Sequence, residues 1–168
     1  MEHKIKKIAV LGAGTMGAQI AGHFANAGIP ALLFDINIDL ASSGIENLTK
    51  LRPAPLYKPN NSESITPCTY ENDLEKLNEV DFVLEAVAEN LDIKHTVYKN
   101  IIPHLKDSVI ISSNTSGIPL EDLIKVFPDN LKSRFLITHF FNPPRYMRLL
   151  ELVKGSKTDK NVYERLVV

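Results

Sequence analysis

Three glycines and an aspartate are the first residues whose types and spacing could do chemistry. Gly12, Gly14 and Gly17 stand in Gly12-Ala13-Gly14-Thr15-Met16-Gly17, between the apolar run Ile8–Leu11 and a helical pattern that reaches Ala27. Gly28 stops that pattern, and a second apolar run, Ala31–Phe34, ends on Asp35. A strand, G-x-G-x-x-G, a helix and an acid roughly 20 residues further on form the dinucleotide-binding βαβ fingerprint. Gly12 allows the tight turn, Gly14 lets a pyrophosphate approach the backbone, and Gly17 lets the helix pack on the strand. Thr15 and Met16 open that helix, whose unpaired N–H groups and positive dipole end suit phosphates. Asp35 can accept hydrogen bonds from both ribose hydroxyls and would repel a 2′-phosphate. No Arg follows it (Ile36, Asn37), so the expected cofactor is NAD rather than NADP. Alone, the glycine pattern is a common chance match; the strand, helix and acid around it carry the reading.

A second set of residues follows the later strands. In a doubly wound sheet, ligands sit beyond the carboxyl ends of the strands. There the chain reads Glu85-Ala86-Val87-Ala88-Glu89-Asn90 and then Lys94; Ser112-Ser113-Asn114-Thr115-Ser116-Gly117; His139-Phe140-Phe141-Asn142-Pro143-Pro144; and Glu151 within Leu149–Val153. Small polar groups, one His and one Glu in an apolar run converge on one end of the sheet. Taken singly, each has a plainer reading. A histidine at a strand end is usually structural, Glu151 could be an exposed alternation residue, and Ser116 and Asn114 could cap a helix starting near Leu120.

The elements that must position these groups are short apolar runs alternating with helical patterns. Strands are expected at Lys7–Leu11, Ala31–Phe34, Phe82–Ala86, Val109–Ser112 and Phe135–His139, with a short one near Cys68–Tyr70 and an edge piece at Leu149–Val153. Continuous Val, Ile, Leu and Phe runs are what parallel strands buried on both faces require. Helices are expected at Met16–Ala27, Asp39–Leu51, Asp73–Leu77, Asp92–Ile102, Leu120–Val126 and from Lys160 onward. Asp39 and Asp92 suit first turns and Pro119 a first helical position. The alternation predicts an α/β fold, a doubly wound, mostly parallel sheet of Rossmann type. Arg52–Pro67, with four prolines, reads as a surface loop.

The 168 residues suit one domain, 1–168, with a sizeable core. Hydrophobic residues make up 44%, charged ones 23%, and the net charge is −1, so nothing points to a nucleic-acid partner. One cysteine, Cys68, excludes an internal disulfide framework and a Cys-rich metal site. No apolar run is long enough to span a bilayer. The charged start MEHKIKK runs straight into the first strand without room for a signal sequence, so a cytoplasmic location is expected. His3, His23, His95 and His104 read as surface or packing residues, and Arg145 and Arg148 as surface residues, the alternative being contact with substrate phosphates.

The tract SNTS, the tract HFFNP with a Met shortly after it, and LLELV at this spacing resemble the NAD-binding domain of the L-3-hydroxyacyl-CoA dehydrogenases. The resemblance runs from Ile5 to about Gly155. It implies NAD-dependent oxidation of a 3-hydroxyacyl-CoA to the 3-ketoacyl thioester in fatty-acid β-oxidation. Carried over, it makes His139 the general acid/base, Glu151 its orienting partner and Ser116 the group bonding the substrate oxygen. It places Asn142 near the nicotinamide and Glu89 and Lys94 on the cofactor side of the cleft. Metal ligands are not implied. The chemistry asks for these types. A base must reach the departing hydroxyl proton, and an imidazole titrates near neutrality. A carboxylate on its other nitrogen fixes the tautomer, and a hydroxyl donor stabilises charge on oxygen.

Two departures from the family's pattern stand out. The family's second, helical domain, which supplies dimer contacts and closes over substrate, is not present in this chain, and Tyr163–Val168 reads as a helix cut mid-course. A fragment of a longer, dimeric enzyme is therefore expected. Arg52–Pro67 also stands where many members carry a basic arm that holds coenzyme A, which points to a divergent branch, such as the dehydrogenase part of a multifunctional chain. The alternatives are a non-catalytic nucleotide-binding or structural module, and a dehydrogenase of free β-hydroxy acids.

Overall fold

The computed structural model describes residues 4–167; His3 and Val168 lie outside them. Seven strands, β1 (Ile8–Leu11), β2 (Ala31–Asp35), β3 (Ile65–Thr69), β4 (Phe82–Glu85), β5 (Ile110–Ser113), β6 (Phe135–Phe140) and β7 (Leu150–Lys154), form one sheet in the order β3-β2-β1-β4-β5-β6-β7. Every neighbouring pair is parallel except β6 and β7. The chain winds outward from β1 to β3, then returns to β1's other side with β4. The carboxyl ends of β1 and β4 thus flank the crevice where such sheets bind ligands. The expected doubly wound α/β architecture is the one observed.

The inner parallel strands are buried on both faces, while the edge strand β3 exposes Thr66, and successive side chains feed two cores. Ala9, Leu11, Val83, Ile111, Phe135 and Ile137 pack on one side. Ile8, Val10, Leu33, Leu84, Ile110 and Leu136 pack on the other. Helices α1 (Thr15–Asn26) and α2 (Ile38–Lys50) lie beside the first strands, followed by α3 (Leu91–Ile101), the single turns α4 (Leu120–Leu123) and α5 (Asp129–Lys132), and α6 (Lys160–Val167). The Asn37 side chain accepts from Leu40 N, and that of Asn90 from Ile93 N. These asparagines are the N-caps; Asp39 and Asp92 fall in the first turns behind them. Pro119 precedes α4 as its cap rather than its first residue.

Several expectations change in the structure. The third strand is Ile65–Thr69, earlier than expected, so Pro67 lies in a strand instead of ending a loop. An edge strand tolerates this, because a missing N–H facing outward breaks no ladder. The tract before it contains a 3₁₀ turn, Pro59–Ser64. The expected helix at Asp73–Leu77 is a 3₁₀ turn over Leu74–Glu79, and Leu120–Val126 splits into α4 and a 3₁₀ turn. The sequence reading missed α5, whose single turn is too short for a 3.6-residue period.

Arg145 is not a free surface residue. Its Nη1 donates to the carbonyls of Ala54 (2.6 Å) and Leu56 (2.7 Å), and its guanidinium lies over the rings of Tyr57 and Tyr146. Asn26 at the end of α1 adds bonds to Pro55 O, Tyr57 N and Asn61 Nδ2. The proline-rich tract is therefore pinned to the body of the domain from two sides.

Among the described residues, no helix is long and apolar enough to cross a membrane. Cys68 is buried in β3, and burial, reinforced by Asp73, pushes its thiol up to about 11. The folded chain should therefore resist a thiol reagent at pH 8 and react with one equivalent once unfolded. Titration with a chromogenic disulfide measures this, and prompt reaction of the native chain would contradict the burial.

Candidate active site

The turn after β1 follows from backbone sterics. Gly12 has φ +102°, a conformation that disfavours any side chain, and its N–H donates to Phe34 O at 2.8 Å. A Cβ there would lie 2.7 Å from Ala86 O, because the end of β4 passes directly beside it. At Gly17 a Cβ would come within 1.8 Å of Gly12 O, so α1 sits against the turn through that position. At Gly14 nothing lies within 4 Å, and the residue is exposed. The sequence reading missed Gly44 in α2, where a Cβ would lie 2.8 Å from Ala13 O. A glycine interrupting a helical pattern was its only signal.

The N-terminus of α1 is left open. Its cap, Gly14, offers no side chain, and no acid lies in the first turn. The helix therefore presents unpaired N–H groups and an uncompensated positive end. Asp35 closes β2 nearby, its Oδ2 accepting from Ala13 N at 2.7 Å and its Oδ1 from Ile36 N at 2.7 Å. A cavity of about 460 Å³, lined by Ala13, Gly14, Thr15, Ala18, Gly44, Asn47 and Leu51, opens beside the turn. An open helix end, free approach at Gly14 and a carboxylate at the strand tip fit a pyrophosphate and a ribose diol. A larger cavity of about 940 Å³, walled by Phe24, Phe82, Phe140, Leu152 and Leu166 among others, contains none of the glycine-turn residues. We therefore place the candidate site at the turn.

His139 and Glu151 meet because of strand register. β6 and β7 are antiparallel, and His139 pairs directly with Glu151. Directly opposed side chains have Cβ atoms about 4.5–5.5 Å apart, within reach of an imidazole and a carboxylate. His139 Nδ1 lies 2.8 Å from Glu151 Oε2. With Nδ1–H donating to this carboxylate, Nε2 is left as the acceptor of the ring. The Phe141 ring, 4.7 Å away between centroids, packs on the imidazole. His139 is mostly covered, while Glu151 is half exposed. Asn142 follows at the exposed end of β6.

The SNTS turn lies beside this pair. Asn114 Oδ1 accepts from Phe140 N at 2.8 Å, tying the end of β5 to the residue after His139. Thr115 Oγ1 accepts from Ile118 N, so the local turn bond comes from Thr115 rather than from Asn114 or Ser116. Glu89 braces the turn: one oxygen accepts from the Thr115 hydroxyl, from Ser116 N at 3.2 Å and from Gly117 N at 3.3 Å. Ser116 itself is exposed. Burial alone would raise the Glu89 carboxyl, but the Thr115 hydroxyl, the Lys94 charge and the Gly117 N–H hold it below its ordinary value. A carboxyl lowered in the folded state stabilises the turn above its unfolded pKa. That contribution is lost as pH falls through the lower, folded value.

Lys94 is 1% exposed, beneath the turn rather than open to the cleft. Its ammonium lies 2.7 Å from Glu85 Oε1 and 3.3 Å from Glu89 Oε2. Glu85 was visible in the sequence only as one of several polar residues after a strand. Removing one partner of such a buried pair costs about 3–5 kcal/mol. Two of the remaining histidines serve packing: His95 Nε2 lies 2.8 Å from Asp122 O, and His23 stacks edge-on against Phe140.

The family profile described as 3-hydroxyacyl-CoA dehydrogenase, NAD binding domain, matches residues 7–168. A putative fatty acid oxidation complex trifunctional enzyme of Rickettsia felis is 46% identical over 99% of this chain and 24% of its own length. A probable 3-hydroxyacyl-CoA dehydrogenase of Deinococcus radiodurans is 46% identical over 95% of this chain and 48% of its own. Among solved structures, an (S)-3-hydroxybutyryl-CoA dehydrogenase from Ralstonia eutropha superposes with a TM-score of 0.83. It is 31% identical over 97% of this chain and 59% of that one. The chain thus spans from a quarter to somewhat over half the length of these relatives. The open glycine turn and the match across nearly every residue lead to one assignment: this chain belongs to the 3-hydroxyacyl-CoA dehydrogenase family, as its NAD-binding domain.

Proposed function

We propose that the chain is the cofactor-binding part of a longer enzyme that oxidises an L-3-hydroxyacyl-CoA to the 3-ketoacyl thioester in fatty-acid β-oxidation. The reading of a longer enzyme rests on relatives two to four times the length of the matched region. The observation that carries the chemistry is the His139–Glu151 pair at 2.8 Å, at the carboxyl end of β6. When bound, NAD supplies the acceptor for the hydride from C3 of the substrate. His139 Nε2 takes the proton of the substrate hydroxyl, Glu151 steadies the imidazolium through Nδ1, and the Ser116 hydroxyl donates to the same substrate oxygen. Gly12, Gly14, Thr15, Met16 and Gly17 form the phosphate cradle, Asp35 accepts from the ribose, and Asn142 and Glu89 wall the nicotinamide end, with Lys94 beneath. A purely structural module would have no use for an imidazole held by a carboxylate next to a turn that leaves a serine exposed.

Binding and turnover can be separated experimentally. Calorimetry should detect NAD binding to the 168-residue chain, weakened at Asp35→Ala. The same chain with acetoacetyl-CoA and NADH should turn over poorly, because a second domain closes the cleft over substrate. An absence of NAD binding would remove the cofactor reading. Brisk turnover would remove the need for the second domain.

A further inference from the structure

Glu85 is the last residue of β4 and is fully buried. A carboxylate in such a place is tolerated only when its oxygens are fully engaged. Oε1 accepts from Lys94 Nζ (2.7 Å) and Val87 N (2.8 Å); Oε2 accepts from the Tyr98 hydroxyl (2.8 Å) and the Ser113 hydroxyl (2.6 Å). Donors from β5, α3 and the segment after β4 therefore converge on one side chain, and nothing in the reaction as read above uses it.

A third charge distinguishes this cluster from an ordinary core ion pair. Glu89 approaches the same ammonium at 3.3 Å, with its side chain 45% exposed. Its other oxygen holds Thr115, Ser116 and Gly117. Two carboxylates share one lysine. The inner carboxylate is held by three further donors and makes the shorter contact, so it sets where the ammonium sits. The outer one must adapt to that position. The longer run of bonds passes from the core to the cleft through Glu85, Lys94, Glu89 and the Ser116 turn; a shorter link leaves Glu85 through the Ser113 hydroxyl, which accepts from Thr115 N at 3.2 Å.

We propose that Glu85 is a positioning residue, whose carboxylate fixes Lys94 so that Lys94 holds Glu89 and Glu89 sets the turn presenting Ser116. The proposal rests on the reading of Glu89 and the Ser116 turn as walls of the cofactor cleft. Glu85 itself touches neither cofactor nor substrate.

A double-mutant cycle on the 168-residue chain tests it, with NAD affinity and the backbone amide resonances of Ser116 and Gly117 in the NAD-free chain as readouts. Glu85→Gln and Lys94→Met should each weaken NAD about tenfold, and the double variant about tenfold rather than a hundredfold, since residues acting through one another are not additive. Both amide resonances should move upfield in all three variants as their bonds to Glu89 loosen. Val109→Ala, a core truncation just before β5, should lower thermal stability while leaving affinity and resonances in place. A hundredfold loss in the double variant, unmoved amides in Glu85→Gln, or an equal affinity loss in Val109→Ala would overturn the proposal. Should Glu85→Gln fail to fold, the double variant decides. Affinity matching Lys94→Met supports the proposal, and affinity about tenfold lower overturns it. If the unmutated chain does not bind NAD, the cofactor reading falls, while the amide resonances still decide whether Glu85 positions the turn.

Discussion

His139→Gln is expected to lower kcat by about 10²–10⁴-fold in the active enzyme carrying this domain, with NAD affinity unchanged. Glutamine can occupy the space and still donate to Glu151, but its amide cannot take up and return a proton near neutral pH. The loss therefore falls on the proton transfer that accompanies hydride departure. The proposed phosphate cradle lies elsewhere, at the turn after β1, which β4 and β5 separate from β6. Glu151→Gln should lose less, because the imidazole stays and only its orientation and the stabilisation of its charged form weaken. Steady-state rates with acetoacetyl-CoA and NADH, alongside calorimetry with NAD, measure the two effects separately. A mild loss at His139→Gln, or a matching loss of NAD affinity, would remove the histidine from the role of base.

Gly17→Ala should abolish NAD binding and lower stability on the order of 4 kcal/mol. The added Cβ would lie 1.8 Å from Gly12 O, a backbone atom that no rotamer change can move aside. Either α1 shifts away from β1 or the turn opens, and both would spoil the proposed phosphate cradle at the helix end. Gly14→Ala is the informative contrast. The same methyl group there meets nothing within 4 Å, so the fold should be as stable as before while NAD affinity drops from crowding at the phosphates. Thermal melts with and without NAD separate the two. A stable Gly17→Ala chain that still binds NAD would show that helix and turn can move apart at little cost. Gly14→Ala with undiminished affinity would mean that the pyrophosphate does not pass over that residue.

Much of the candidate site was legible along the chain because its requirements are local. A left-handed turn at Gly12 and a close helix–strand contact at Gly17 are demands on single positions, and glycine is how a sequence meets them. Buried parallel strands need unbroken apolar runs, so β1, β2, β4, β5 and β6 could be placed to within a residue or two. Their shared carboxyl ends then placed His139, Ser116 and Glu89 at one end of the sheet.

Other features required the chain to fold back on itself. The twelve-residue spacing of His139 and Glu151 says nothing about contact until β7 turns antiparallel and its register sets them face to face. A slip of one residue would have sent Glu151 to the opposite face of the sheet. Pro67 inside a strand was illegible because only the sheet order reveals an edge. Arg145 looked like a surface cation because its acceptors, Ala54 and Leu56, lie some ninety residues upstream. Lys94 and Glu85 looked like ordinary polar residues near a strand end. Burial of a charge depends on what surrounds it in space, and here the surroundings come from β4, α3 and β5 together. By itself, then, the sequence determined the stereochemistry of the turn, the apolar strands and the kinds of group at their ends. Tertiary structure alone decided which of those groups touch, because ion pairs and strand register are long-range choices that no local pattern encodes.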